Sequence, residues 1–117
     1  MDKKIIFLDL DGTLTNDEKK VTPLTQKALL EMQKAGHIVV LASGRPTPGI
    51  LPVAKAVELE KFGGYIMAFN GGKIINAKTN EVVFEQVLDR KYISPLLKYA
   101  KENDIGLITY DDKRIIV

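Results

Sequence analysis

A partly β-branched apolar run, Ile5-Ile6-Phe7-Leu8, passes directly into Asp9-Leu10-Asp11-Gly12-Thr13-Leu14-Thr15. This junction constrains the chain more than any other stretch. Consecutive apolar residues suit a strand covered on both faces, as in a parallel sheet, rather than one that alternates between core and water. A polar segment holding Gly12 and reaching Asp17 then ends the strand in a loop. Parallel neighbours need long crossovers, usually helical, so helices must follow.

They do. Thr22-Pro23 reads as an N-cap followed by proline at the first helical position. Leu24, Ala28, Met32 and Ala35 recur at helical spacing and predict one apolar face, and Gly36 closes the helix. Ile38-Val39-Val40-Leu41-Ala42 is a second buried strand and Ser43-Gly44-Arg45-Pro46 a loop. Pro48 and Pro52 predict a helix that is regular only from about Pro52 to Phe62. Tyr65-Ile66-Met67-Ala68-Phe69 is a third strand, ending at Asn70-Gly71-Gly72. The order β-α-β-α-β through residue 72 is half of a doubly wound α/β sheet.

The pattern changes after Gly72. Residues 73–75 and 82–85 flank a turn-rich segment and predict a hairpin. Asp89 to Asn103 reads as a helix with Tyr92, Leu96, Tyr99 and Ala100 on its apolar face and Pro95 oddly inside it. Ile105 to Tyr110 and Arg114 to Val117 read as strands around an Asp111-Asp112 turn. The expected division is therefore 1–72 and an α+β unit over 73–117.

Asp9 and Asp11 stand two residues apart, so in a strand both side chains leave the same side. They would converge at the carboxyl end of the first strand, where open α/β sheets build their sites. Two carboxylates this close repel unless a cation, a proton or N–H donors offset the charge. Mg²⁺ suits oxygen ligands. A carboxylate beside it can attack phosphorus and form an aspartyl phosphate. A second carboxyl group can protonate the leaving oxygen and later activate water. Gly12 lets the chain turn sharply and lets N–H groups approach a phosphate. The Ser43 hydroxyl and the N–H after it, at the end of the second strand, can bind phosphoryl oxygens. Each feature alone also fits an ordinary turn. A calcium loop fails on spacing, because Leu14 stands where glycine is required and Lys20 where glutamate is required.

Together these residues resemble the haloacid dehalogenase superfamily. Asp9-Leu10-Asp11-Gly12-Thr13-Leu14 is similar to its first signature and Leu41-Ala42-Ser43-Gly44-Arg45 to its second. Asn70-Gly71-Gly72 with an α/β unit directly after it resembles the Cof-type sugar-phosphate phosphatases. The resemblance implies a Rossmann-like, three-layer core of which this chain carries the N-terminal half, followed by the start of a cap from Lys73. It implies Asp9 as nucleophile and Asp11 as general acid/base, with Mg²⁺ held by the Asp9 side chain and the Asp11 carbonyl. Gly12, Ser43, Gly44, Arg45 and Asn70 would line the phosphate site. The implied substrate is a small phosphorylated metabolite such as a sugar phosphate.

The family also supplies a later lysine and an acidic metal loop, and neither can be placed here. Lys73 lies at the cap junction, and Asp111-Asp112 reads as a hairpin turn. The expectation is a shortened chain with little activity by itself and an open sheet edge available for self-association. Three other readings compete. A signalling receiver domain would need an aspartate at the end of the third strand, where Asn70 stands. A non-catalytic assembly module would pair through the open edge. A phosphosugar mutase would share the aspartate chemistry and differ in how water is excluded.

Composition narrows the rest. With no cysteine there is no disulfide, thiolate metal site or cysteine nucleophile. A net charge of +2 is too small to argue for nucleic acid or a membrane surface. The short apolar run after the N-terminus is below the length of a secretory leader's core, so a cytoplasmic protein is expected. His37, the only histidine, is expected to lie on the surface or pack at a helix end rather than act in catalysis, and Lys19-Lys20 to lie on a solvated loop.

Overall fold

The computed structural model describes residues 2–110 and 114–117. Two compact units divide the chain, Met1–Glu85 and Gln86–Val117. In the first, strands β1 (Ile5–Asp9), β2 (Ile38–Ala42) and β3 (Tyr65–Ala68) pair in parallel, in that order. Helix α1 (Pro23–Lys34) joins β1 to β2. Helices α2 (Thr47–Ala56) and α3 (Leu59–Phe62) join β2 to β3.

The β-α-β-α-β reading therefore holds. All three helices contribute to one cluster with Leu10, Val39, Leu41, Ile66 and Ala68, so they cover one face of the sheet. On β1 the opposite face carries Ile5 and Phe7, which are 56% and 61% exposed. Among the described residues β1 stands at the edge of the sheet, and no described helix of its unit lies over that face, so the expected cover on both faces is seen on one.

Helix α1 begins as expected. Thr22 accepts a hydrogen bond from the Thr25 N–H at 3.4 Å, and Pro23 opens the helix. Its buried face is only partly the expected one, for Met32 does pack against the core. Leu29 and Gln33 are buried, whereas Leu24 is 80% exposed and Ala28 and Ala35 are exposed too. The cause is polar. The Gln26 amide donates to the Ala56 carbonyl at 2.7 Å, and the Gln33 amide donates to the Val57 carbonyl at 2.8 Å. These glutamines satisfy carbonyls at the end of α2 that the helix itself leaves unpaired. His37 accepts from the Lys4 N–H at 3.1 Å and so ties the end of α1 to the start of β1.

The prolines also act differently from expectation. Helix α2 starts at Thr47, with Pro48 in its first turn, where a missing N–H costs nothing. Pro52 lies inside the helix and forfeits one bond there, and the helix continues to Ala56. The break falls instead at Glu58, whose φ of 53° is left-handed and separates α2 from α3.

The hairpin is present as β4 (Lys73–Asn76) and β5 (Val82–Glu85). The Asn76 side chain accepts from the Lys78 and Thr79 N–H groups and shapes its turn. β4 pairs antiparallel with β3, extending the core sheet to five strands. The change of pattern at Lys73 is thus a switch from parallel to antiparallel pairing, and the compact unit runs on to Glu85.

The second unit holds a single 3₁₀ turn (Arg90–Tyr92), helix α4 (Ile93–Glu102) and the two-residue strands β6 (Thr109–Tyr110) and β7 (Ile115–Ile116), paired antiparallel. Pro95 is explained by its place in the first turn of α4. Ala100 is buried, whereas Tyr92, Leu96 and Tyr99 are exposed. Asp111 and Asp112 lie outside the described residues. No helix among the described residues is long and apolar enough to cross a membrane.

Two substitutions test this packing. A Cβ on Gly64 would lie 2.3 Å from the Val39 carbonyl oxygen and 2.5 Å from Leu59 Cδ1. Gly64→Ala is expected to cost about 1–3 kcal/mol in chemical denaturation. Gln33→Ala leaves the Val57 carbonyl without its donor and should cost about 1–3 kcal/mol by the same measurement. A neutral result for either would contradict the packing described.

Candidate active site

Parallel pairing delivers the carboxyl ends of β1, β2 and β3 to one side of the sheet, with Asp9 opposite Ala42 and Ala42 opposite Met67. Asp9 ends β1 and is exposed, Leu10 is fully buried, and Asp11 is exposed again. Leu10 anchors the turn from below. Its carbonyl accepts from the Thr13 and Thr15 N–H groups and from the Thr15 hydroxyl, and the Asp9 carbonyl accepts from the Leu14 N–H. Gly12 sits at φ 80° with open space where a Cβ would be, so the backbone turn accounts for this glycine rather than crowding.

The second and third tips are laced together. The Ser43 N–H donates to the Met67 carbonyl, the Asn70 N–H to the Ser43 carbonyl and the Phe69 N–H to the Arg45 carbonyl, each at 3.0 Å. Ser43 is 8% exposed, and its hydroxyl oxygen accepts from the Arg45 N–H at 3.1 Å. A Cβ on Gly44 would lie 3.0 Å from Asn70 Oδ1, so glycine there leaves room for the Asn70 amide. Phe69, Asn70 and Gly71 have φ of 52°, 54° and 94° in succession. Each left-handed non-glycine residue costs about 1–2 kcal/mol, and such strain concentrates at functional loops. The predicted third strand therefore ends at Ala68, one residue early.

Arg45 connects the first tip to the second. Its Nε donates to Asp11 Oδ2 at 3.0 Å, its Nη2 donates to Asp11 Oδ1, and its Nη1 donates to the Gly49 carbonyl at 2.9 Å. Lys19 Nζ lies 3.1 Å from Asp11 Oδ1. The Arg45 guanidinium first, and then the Lys19 ammonium, hold the Asp11 carboxyl down to about 2 from its ordinary 3.8. The same pairing raises Arg45.

Sequence reasoning assigned Lys19 to a solvated loop. It is placed by an Asn16 turn, in which the Asn16 side chain accepts from the Glu18 and Lys20 N–H groups and Lys19 takes φ 63°. An asparagine three residues before the lysine was the available signal.

The predicted residues therefore fall on one rim. Asp9, Asp11 and Gly12 come from the first tip, Ser43, Gly44 and Arg45 from the second, and Asn70 from the third. Among the described residues no group of three or more histidines, cysteines or acidic side chains converges to hold a metal. The Asp9 carboxylate and the Asp11 carbonyl are compatible with Mg²⁺, which keeps several waters and needs only one or two carboxylates.

The comparisons bear on the family and the fold. The haloacid dehalogenase-like hydrolase family matches residues 6–117. YxeH of Bacillus subtilis is 33% identical over 112 residues, 96% of this chain and 42% of that protein. The 5-amino-6-(5-phospho-D-ribitylamino)uracil phosphatase YcsE of the same organism is 33% identical over 82 residues, 70% of this chain and 32% of that protein. A crystal structure of a haloacid dehalogenase-like hydrolase from Bacteroides thetaiotaomicron superposes with a TM-score of 0.92 at 42% identity. It is covered to 43% of its length by 97% of this chain. The chain thus spans less than half the length of these relatives. With its sheet and its sequence in agreement, the chain belongs to the haloacid dehalogenase-like hydrolases.

Proposed function

We propose that this chain carries the nucleophile end of a Mg²⁺-dependent phosphomonoesterase acting through an aspartyl phosphate on a small phosphorylated metabolite in the cytoplasm. The observation that carries the reading is the rim itself. An exposed carboxylate ends β1, a second lies two residues on, and a serine hydroxyl and backbone N–H groups stand on the neighbouring tip. The phosphorylated ribityl compound in the name of YcsE supports the substrate class.

In the first step an Asp9 carboxylate oxygen attacks phosphorus, the bond to the leaving oxygen breaks, and that oxygen takes a proton from the Asp11 carboxyl. In the second, water attacks phosphorus, the Asp9–phosphorus bond breaks, and the Asp11 carboxylate takes the proton from water. The Ser43 hydroxyl and the Gly44 N–H supply donors to the phosphoryl oxygens, with Gly12 and Asn70 at the border of the same space. Mg²⁺, when bound by Asp9 and the Asp11 carbonyl, would neutralise phosphate charge. Asp11 is an anion without substrate, ready for the second step. An arriving phosphate dianion raises its proton affinity, which favours the first. The cap expected from Lys73 is proposed to start after the core hairpin, at Gln86, and the open β1 edge is proposed as a surface for self-association.

Asp9→Asn keeps the side-chain volume and removes the nucleophile. Beryllofluoride with Mg²⁺ mimics an aspartyl phosphate, and its bound ¹⁹F resonance is expected with the unaltered chain and not with Asp9→Asn, while circular dichroism stays the same. A bound signal that survives in Asp9→Asn would refute the assignment. Turnover of p-nitrophenyl phosphate by this chain alone is expected to be low, because among the described residues few oxygen ligands converge to retain the metal.

Asp11 also has a pH signature. Its folded pKa is depressed, so its stabilising contribution is complete above the unfolded value of about 3.9 and fades as pH falls toward about 2. Acid unfolding of Asp11→Asn should lack that component between about pH 4 and 2. Identical acid profiles for the two chains would show that the ion pairs contribute nothing.

A further inference from the structure

We propose that Arg45, seconded by Lys19, is a positioning residue that fixes the Asp11 carboxylate, and that it is not a ligand of the phosphoryl group. The inference rests on the assignment of Asp11 as general acid/base and says how that group is held.

Asp11 needs such a partner. It lies beyond the end of β1 in a glycine turn and is exposed, so no strand neighbour orders its side chain. All three guanidinium nitrogens of Arg45 already have protein acceptors, two on the Asp11 carboxylate and one on the Gly49 carbonyl. The Arg45 backbone is fixed as well, its N–H by Ser43 Oγ and its carbonyl by the Phe69 N–H.

Gly49 adds an independent sign. A Cβ there would lie 3.3 Å from Arg45 Cβ and 3.4 Å from Cδ, so glycine lets the arginine stem lie along the first turn of α2. The fork is therefore anchored at its root, along its stem and at its far nitrogen, with every guanidinium nitrogen engaged by a protein acceptor. A lysine, carrying a point charge, could not span Asp11 and Gly49 together. Proton transfer requires a group held within hydrogen-bond reach of its target, and this clamp supplies that order from the neighbouring strand.

The test reads the Arg45 Nε–Hε resonance of the ¹⁵N-labelled full chain. The clamp predicts a protected Hε signal that disappears in Asp11→Asn and does not move when inorganic phosphate is added. It further predicts that Arg45→Gln binds inorganic phosphate within about twofold of the unaltered chain, whereas loss of a charged phosphate ligand would weaken binding at least about tenfold. An Hε signal that is absent from the unaltered chain, that follows phosphate, or that persists in Asp11→Asn would overturn the clamp. The two ideas fail separately. An absent beryllofluoride signal with an intact Arg45 resonance removes the phosphatase reading, and the converse removes the clamp.

Discussion

Parallel pairing of β1, β2 and β3 is the constraint on which the other features depend. Because the strands run the same way, each ends on the same side, and each ends in a loop. Asp9, Ser43 and Asn70 are far apart in the chain, and only this arrangement makes them neighbours. The register matters equally, since Asp9 stands opposite Ala42 and Ser43 is the next residue along. A shift of one residue would turn Asp9 toward the helices and Leu10 toward water.

The sheet is held by one covered face. Core residues from α1, α2 and α3 converge on Val39, Leu41, Ile66 and Ala68. Burial of that apolar surface is the main stabilising term, at roughly 25 cal/mol per Å². Polar groups then fix how the helices sit. Gln26 and Gln33 reach from α1 to the carbonyls that close α2, which sets the approach of the two helices more specifically than apolar contact alone. The buried Gln33 amide nitrogen donates to the Leu29 and Val57 carbonyls, while its Oε1 is buried without a hydrogen-bond partner among the described residues.

The rim is less relaxed than the core beneath it. Phe69 and Asn70 take left-handed conformations that side chains resist, and they are kept there by hydrogen bonds to the second tip. The same lacing seats Ser43 and Arg45. Arg45 then reaches across to Asp11, so the three tips form one connected unit rather than three independent loops. Charge follows the same logic, since a second acidic side chain beside Asp9 is balanced by Arg45 and Lys19.

Much of this was legible in the residues. The apolar runs and the loops at their ends define three strands and a site side, because strand and helix periodicities differ and glycine and proline punctuate them. Asp9, Asp11, Ser43 and Asn70 follow from their places at strand ends. The full buried face of α1 was not legible, because Gln33 reads as a surface residue until Val57 is seen to need a donor. Nor was the start of α2, where Pro48 lies where a helix can spare an N–H and Pro52 costs one bond without ending the helix. The hairpin's membership of the core sheet, Lys19's approach to Asp11 and the direction of the Arg45 fork are long-range facts. Local sequence therefore determined which segments form strands and which residue types stand at their tips, since backbone preference and side-chain alternation act over a few residues. Tertiary structure alone decided which cation meets which carboxylate and which carbonyl meets which amide, since those partners are chosen by distance in space.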